Sequence, residues 1–84
     1  MALPKYFVYI LKNTAKPPRY YTGVTSDVAK RLGVHNAGKC AHTSGGGPWD
    51  VDVVIEFHDE ARAAKFEKYL KTGSGCAFAK RHLR

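Results

Sequence analysis

The run of aromatic and β-branched residues from Lys5 to Lys12 constrains the fold of this chain more than any other segment. Pro4 and Asn13 bound the run, and such a run between turn-forming residues predicts a β-strand. Successive side chains of a strand point to opposite faces, and here both faces are apolar. An apolar pattern on both faces is typical of a strand inside a sheet. The sequence therefore predicts a central strand that is covered on both sides.

The hydrophobic periodicity of the remaining residues predicts two further strands and three helices. The strands are expected at 20–24 and 51–57, the second of them from its alternation of apolar and polar residues. The helices are expected at 27–36 after an N-cap at Thr25 or Ser26, from a cap at Asp59 to about Lys71, and at 76–83 after a break at 72–75. The order β-β-α-β-α-α predicts a single α+β domain over residues 1–84, a three-stranded antiparallel sheet flanked by helices.

Composition narrows the class of protein. No apolar run approaches the length of about 20 residues that a membrane-spanning helix needs, and the N-terminus lacks the apolar stretch of a signal peptide. Cys40 and Cys76 are too few for the disulfide framework of a small secreted domain. Cys40 and His42 have no second Cys/His pair at zinc-ligand spacing, so no structural zinc site is expected. We expect a cytoplasmic protein with free thiols and no membrane partner.

The net charge indicates a polyanionic partner. The chain carries 14 Lys and Arg residues against 7 Asp and Glu, a formal charge of +7 at pH 7. Basic domains gain binding free energy from the counterions that a neutralised phosphate releases. Charge alone leaves DNA, RNA, an anionic membrane surface and a merely solvated basic face open.

Five side chains together carry the chemistry that phosphodiester hydrolysis needs, namely a base for water, a cation for phosphate charge and a metal ligand. They are Tyr9, Tyr21, Arg31, His35 and Glu67. Each also has a structural interpretation, because tyrosines are common in strands, an arginine can be a surface cation and a histidine suits a helix C-terminus. Glu67 can likewise pair with Lys71 at i,i+4. The residue types alone leave both interpretations open.

The order and spacing of these residues resemble the GIY-YIG nuclease superfamily. The first motif reads Phe7-Val8-Tyr9-Ile10-Leu11 and the second reads Tyr21-Thr22-Gly23. The arginine follows the second tyrosine by ten residues, the histidine follows the arginine by four, and the glutamate lies on the next long helix. The segment YYTGVTSDVAKRLGVHNAGKCAHT is similar to the small single-domain bacterial branch. The resemblance extends from about Tyr6 to Leu83.

The resemblance implies a role for each residue. Tyr9 is expected to be the general base that activates water, and His35 to relay its proton. Arg31 is expected to bind the scissile phosphate, and Tyr21 to orient phosphate or water. Glu67 is expected to ligate a single Mg²⁺ or Mn²⁺ ion. The implied reaction is a one-metal hydrolysis of DNA, favoured over RNA, that leaves a 3′-hydroxyl and a 5′-phosphate.

Further residues are expected along the bound nucleic acid. They are Gly23, where something approaches the backbone closely, His42, which corresponds to an accessory histidine of some family members, and the basic residues Lys39, Lys71, Lys80 and Arg81. The chain has no helix-turn-helix or zinc-finger module, so its own loops, the structure of the substrate or a partner must supply recognition.

The chain departs from the family pattern in one respect that bears on function. Many members carry an asparagine after the metal-binding glutamate, whereas no asparagine follows Asn36 here, and either Ser74 takes its place or no residue does. Two alternatives to an active nuclease therefore stay open: a nucleic-acid-binding module of the same fold that cuts poorly, and a basic interaction domain with structural aromatics. An active site requires Tyr9, Tyr21, Arg31 and Glu67 to converge on one solvent-open concavity.

Overall fold

The first strand, β1 (Tyr6–Asn13), lies in the centre of a three-stranded antiparallel sheet, as its two apolar faces predict. The computed structural model describes residues 3–84. Strand β2 (Tyr20–Thr25) pairs with one edge of β1, and strand β3 (Trp49–Phe57) pairs with the other. The predicted α+β architecture and the order β-β-α-β-α-α are confirmed.

Helices cover the two faces of this sheet separately. On one face, Val8 and Ile10 pack against Ala63 and Leu70 of α2 (Glu60–Leu70) and against Ala79 of α3 (Gly73–His82). The opposite face carries a second buried cluster, formed by Tyr9, Leu11 and Trp49 and joined by Leu32 of α1 (Val28–Asn36). Tyr9 thus points towards α1, away from the larger core.

The alternation predicted for the third strand holds over only part of β3. Val53, Ile55 and Phe57 are half-buried between exposed neighbours, but Val51 is exposed. The register shifts between Ile10 and Leu11, whose partners are Val53 and Val51, so Asp52 has no partner on β1. This β-bulge reverses the facing of the residues before it. It lets Trp49 reach the same buried cluster as Tyr9.

Two helix starts differ from the sequence prediction. The N-cap of α1 is Asp27, whose carboxylate accepts a hydrogen bond from the backbone N–H of Lys30, and not Thr25 or Ser26. Helix α3 begins at Gly73, not at residue 76, because the hydroxyl of Thr72 accepts from the N–H of Gly75 and caps the helix. A side chain at Gly75 would collide with the backbone of Tyr69, so glycine permits the close α2–α3 connection that the sequence pattern presented as a break.

The loop from α1 to β3 is fixed to the core at its end. The side chain of Asn36 accepts from the N–H of Trp49 at 2.7 Å and donates to its carbonyl at 3.0 Å. The indole N–H of Trp49 donates to the carbonyl of Thr43 at 3.1 Å. Because Trp49 is itself buried, these bonds place the middle of the loop against the Tyr9 face of the sheet.

Within residues 3–84, no helix combines the length and apolar character that crossing a membrane requires. Both cysteines in this part of the chain carry free thiols.

Candidate active site

A chain of three buried side chains lies on the α1 face of the sheet. The hydroxyl of Tyr9 is 2.9 Å from Nε2 of His35, and Nδ1 of the same ring is 2.8 Å from Oγ1 of Thr43. All three residues are at most 1% exposed. Strand β1 supplies Tyr9, the last turn of α1 supplies His35, and the following loop supplies Thr43. Because buried polar groups need hydrogen-bond partners, the two bonds of the His35 ring tie these three side chains together.

Tyr21 and Arg31 complete the cluster around Tyr9. The ring of Tyr21 lies 6.4 Å from that of Tyr9 and 4.6 Å from that of His35, measured between centroids. The guanidinium of Arg31 interacts with the hydroxyl of Tyr9, and this contact raises the pKa of Arg31. The buried Nε atom of Arg31 has no hydrogen-bond partner among the described residues. A buried guanidinium N–H that lacks an acceptor is suited to a phosphate oxygen.

The electrostatics of the cluster keep His35 neutral. Burial, and next the positive charge of Arg31, lower the pKa of His35. Burial is also the main cause that raises the pKa of Tyr21. A neutral imidazole has one nitrogen that donates and one that accepts, so His35 is able to take a proton from a neighbour.

Gly23 provides the space in which Tyr9 lies. Gly23 and Tyr9 are paired across β2 and β1, and a Cβ added to Gly23 would lie 2.5 Å from the Tyr9 hydroxyl. The sequence predicted a close approach at Gly23 by nucleic acid. In the structure the ring of Tyr9 approaches Gly23, which is buried beneath it, and a contact of Gly23 with nucleic acid stays a prediction.

Glu67 connects to the cluster through a lysine. Its carboxylate is 2.6 Å from the ammonium of Lys71, and its side chain is 14% exposed. The ammonium of Lys71 lies 5.8 Å from the centroid of the Tyr21 ring. Glu67 and Lys71 therefore form the i,i+4 ion pair that is the structural interpretation of Glu67. This pair lies at the Tyr21 edge of the cluster.

Glu67 is the only carboxylate among the five predicted catalytic residues. Within the described residues, no three His, Cys, Asp or Glu side chains lie close enough together to hold a metal. Mg²⁺ often takes one or two carboxylates and fills its other positions with water and phosphate oxygens. Glu67 suits this arrangement once the ammonium of Lys71 moves away from its oxygen.

The structure thus brings together four of the five predicted catalytic residues and joins the fifth through Lys71. The requirement that Tyr9, Tyr21, Arg31 and Glu67 converge on one solvent-open concavity is not met in this structure, because Tyr9 does not face solvent. Its side chain is fully enclosed, while Tyr21 and Arg31 are partly exposed beside it.

Sequence analysis missed two polar neighbours in the loop after α1. Thr43 binds His35, as described above. Cys40 lies beside Tyr21, and although burial opposes ionisation of its thiol, hydrogen bonds to the sulfur, first from the backbone of His42, lower its pKa overall. The sequence identified Cys40 only as a poor zinc ligand, and a threonine in a polar loop gives no pattern that would reveal its partner.

Basic and aromatic groups surround the cluster on its exposed side. His42 is exposed and stacks on Tyr21, with centroids 6.4 Å apart and planes at 24°. A cleft of about 270 Å³ adjoins Tyr21 from the α2–α3 side of the sheet, where Ile10 and Leu70 line it together with Thr22, Lys71 and Arg84. The remaining basic residues that the sequence predicted to contact nucleic acid are exposed; they are Lys39, Lys80 and Arg81.

Comparison with known proteins gives this geometry a family context. A sequence profile described as the GIY-YIG catalytic domain matches residues 5–76. A UPF0213 protein of Oceanobacillus iheyensis is 35% identical over 68 residues, which are 80% of this chain and 77% of that protein. The structure-specific endonuclease subunit SLX1 of Mus musculus is 39% identical over 67 residues, which are 71% of this chain but 25% of SLX1. The match therefore spans one quarter of that endonuclease subunit.

A solved structure agrees with the fold. The solution NMR structure of the UPF0213 protein BH0048 from Bacillus halodurans superposes with a TM-score of 0.55 and 28% sequence identity. The superposition covers 92% of this chain and 83% of that chain.

Proposed function

The chain belongs to the GIY-YIG family of catalytic domains, a family of phosphodiester-cleaving nucleases, and we propose that it is an endonuclease that hydrolyses DNA with one divalent metal ion and Tyr9 as general base. The observation that carries the proposal is the hydrogen bond between Tyr9 and His35, because it gives the phenolic proton an acceptor. A buried phenol needs a hydrogen-bond partner in any role, and here that partner is an imidazole whose free nitrogen is able to take up the proton.

Proton transfer follows the hydrogen bond. His35 accepts the phenolic proton at Nε2, and the oxygen of Tyr9 accepts a proton from the attacking water. The water oxygen then forms its bond to phosphorus while the bond from phosphorus to the 3′-oxygen breaks. Solvent protonates the leaving 3′-oxygen, and the products are a 3′-hydroxyl and a 5′-phosphate. A positioned general base of this kind contributes about 10²–10⁴-fold to a rate.

Access to Tyr9 has to open when substrate binds. The side chain is fully enclosed in the free protein, so water reaches its hydroxyl only past the partly exposed Tyr21 and Arg31. Exclusion of bulk water strengthens the electrostatic interactions within such a site. The phosphate-binding role proposed for Arg31 is supported by its Nε–H, which has no acceptor among residues 3–84 and becomes accessible when the site opens.

Glu67 is the residue proposed to hold the metal ion, Mg²⁺ or Mn²⁺. When bound, such an ion supplies Lewis-acid stabilisation of the charge that develops on the phosphate. In the free protein the ammonium of Lys71 balances the charge of Glu67. Once it leaves Glu67, the ammonium of Lys71 is free to contact a DNA phosphate near Tyr21.

The path of the DNA is proposed to follow the exposed basic side of the cluster. The cleft beside Tyr21 offers Lys71 and Arg84, and the loop after α1 offers Lys39 and His42. Lys80 and Arg81 extend the positive surface along α3. Phosphate contacts of this kind position a nucleic acid without reading its sequence.

Cleavage of labelled DNA tests the proposal. Single-stranded and double-stranded substrates are incubated with the wild-type protein in Mg²⁺, in Mn²⁺ and in EDTA, and the products are probed for their terminal groups. We expect cleavage only with metal, and products with 5′-phosphates. Binding of DNA without cleavage in either metal would instead favour a nucleic-acid-binding module of the same fold.

A further inference from the structure

We propose that Thr43 is a positioning residue of the active site, which fixes His35 in the tautomer that accepts the proton of Tyr9. The inference rests on the proposed function, because it assigns a residue that makes the Tyr9–His35 proton transfer possible. Its structural basis is the second hydrogen bond of the imidazole, from Nδ1 to Oγ1 of Thr43 at 2.8 Å.

The directions of the two hydrogen bonds of His35 follow from the groups at the Tyr9 end and at the Thr43 end of the series Tyr9–His35–Thr43. At one end, the hydroxyl of Tyr9 is fully buried, its hydrogen-bond partner among the described residues is Nε2 of His35, and a buried hydroxyl proton needs an acceptor. The proton of Tyr9 therefore has to go to Nε2 of His35, which requires that Nε2 carries no proton of its own. The neutral ring then carries its proton on Nδ1.

The hydrogen bonds at the Thr43 end of this series also require a proton on Nδ1 of His35. The hydroxyl of Thr43 has one proton, and it lies 3.4 Å from the carbonyl oxygen of Cys40, a group that can only accept. With its proton given to Cys40, the oxygen of Thr43 is free to accept from Nδ1–H of His35. In the opposite tautomer Nε2–H would donate to Tyr9, and the phenolic proton would have no acceptor among these groups. Only the Nδ1–H tautomer satisfies every group.

The backbone of the loop holds Thr43 in place independently of its side chain. The N–H of Thr43 donates to the carbonyl of Cys40 at 3.1 Å, and the carbonyl of Thr43 accepts from Trp49 and from the N–H of Gly46, each at 3.1 Å. A change of the Thr43 side chain therefore removes the bond to His35 while these backbone bonds remain.

The tautomer also affects the acceptance of the proton. When His35 takes the Tyr9 proton it becomes an imidazolium with donors at both nitrogens. The oxygen of Thr43 then accepts from the charged ring, and such charge-assisted bonds are roughly twice as strong as neutral ones. Without that acceptor, the Nδ1–H of a buried cation would be left unpaired, at a cost that slows the transfer.

The first test reads the tautomer directly in the wild-type protein, without substrate. Long-range ¹H–¹⁵N NMR of the His35 imidazole at neutral pH distinguishes a protonated Nδ1 from a protonated Nε2. We expect Nδ1–H. A protonated Nε2 would overturn the proposal whether or not the protein cleaves DNA.

The second test compares Thr43→Val, which keeps the shape and removes the hydroxyl, with Thr43→Ser, which keeps the hydroxyl. We expect Thr43→Val to show a mixture of tautomers and a kcat lower by about ten-fold or more, with KM changed by less than about two-fold. Thr43→Ser should keep the Nδ1–H tautomer and most of the kcat. If both variants keep the wild-type kcat, or lose it equally with the tautomer unchanged, Thr43 does not act through His35. Absence of cleavage by the wild-type protein would contradict the proposed function. The NMR result identifies the tautomer of His35 whether or not the protein cleaves DNA.

Discussion

A Cβ atom added to Gly23 would lie 2.5 Å from the hydroxyl of Tyr9, so the paired strand leaves room for this tyrosine only because residue 23 is glycine. Real Cβ atoms do not approach other heavy atoms so closely, and the ring of Tyr9 is enclosed on its other sides. The position of Tyr9, the proposed base, thus depends on Gly23, a residue without a side chain that could take part in the reaction.

Gly23→Ala is expected to displace the Tyr9 hydroxyl from His35. Overpacking of this kind costs about 1–3 kcal/mol of stability, and kcat should fall in addition because the proton acceptor is lost. Gly33→Ala is the matched control, since a Cβ at this position in α1 meets nothing within 4 Å. This substitution replaces a glycine in the interior of a helix and should therefore stabilise the fold by about 0.5–1 kcal/mol. Urea unfolding of both variants measures the difference, and equal free energies of unfolding would contradict the packing argument.

The pH dependence should follow His35. Burial and Arg31 place its folded pKa below the unfolded value of about 6.5. A lowered folded pKa means that the stabilising contribution is complete above about pH 6.5 and is lost as the pH falls through the folded value. The kcat should fall in the same direction, because only the neutral ring accepts the proton of Tyr9. A kcat that already declines as the pH is lowered towards about 7 would contradict this assignment.

Removal of the Lys71 ammonium should strengthen metal binding and weaken DNA binding. Lys71→Gln frees the carboxylate of Glu67, and the dissociation constant for Mn²⁺, measured by calorimetry without DNA, should fall by about two- to five-fold. The salt dependence of DNA binding should decrease by about one released counterion if Lys71 contacts a phosphate. Lys68→Gln removes the same charge from an exposed position on α2 and is the control. Equal effects of both variants on Mn²⁺ binding would show that Lys71 does not compete for Glu67.

The two thiols should differ in reactivity. Hydrogen bonds to the sulfur lower the pKa of Cys40 against the effect of burial, so at neutral pH a larger fraction of Cys40 than of an ordinary thiol is the nucleophilic thiolate. Alkylation with iodoacetamide, followed by mass spectrometry, should therefore modify Cys40 before Cys76, although Cys76 is the more exposed of the two. Preferential modification of Cys76 would contradict the predicted environment of Cys40. If alkylation of Cys40 lowers the rate of DNA cleavage, the Cys40→Ser protein should keep its cleavage rate after treatment with iodoacetamide.

The sequence predicted those parts of the fold that a local pattern determines. The two apolar faces of β1 indicated its central place, and the spacing of Arg31 and His35 indicated that both lie on one side of α1. The bulge at Asp52 could not be predicted, because it depends on the pairing of β3 with β1 and on Trp49 entering the core.

The same distinction applies to the site. Tyr9, Tyr21, Arg31 and His35 come from regular elements at recognisable spacings, and the structure brings them together. Thr43 comes from a loop whose course depends on the hydrogen bonds of Asn36 and Trp49. The start of α3 was predicted too late in the sequence for a related reason. Glycines such as Gly73 and Gly75 usually indicate a break in helical structure, whereas here Gly75 allows α3 to approach the end of α2.

Single-turnover cleavage of DNA by Tyr9→Phe, at saturating metal, tests the assignment of the general base most directly. Tyr69→Phe, at an exposed tyrosine on α2, is the control for loss of a hydroxyl, and circular dichroism confirms that both variants are folded. The account predicts that Tyr9→Phe lowers the cleavage rate by about 10²-fold or more, while Tyr69→Phe retains the wild-type rate. A folded Tyr9→Phe protein that cleaves DNA as fast as the control would contradict the role of Tyr9 as the general base.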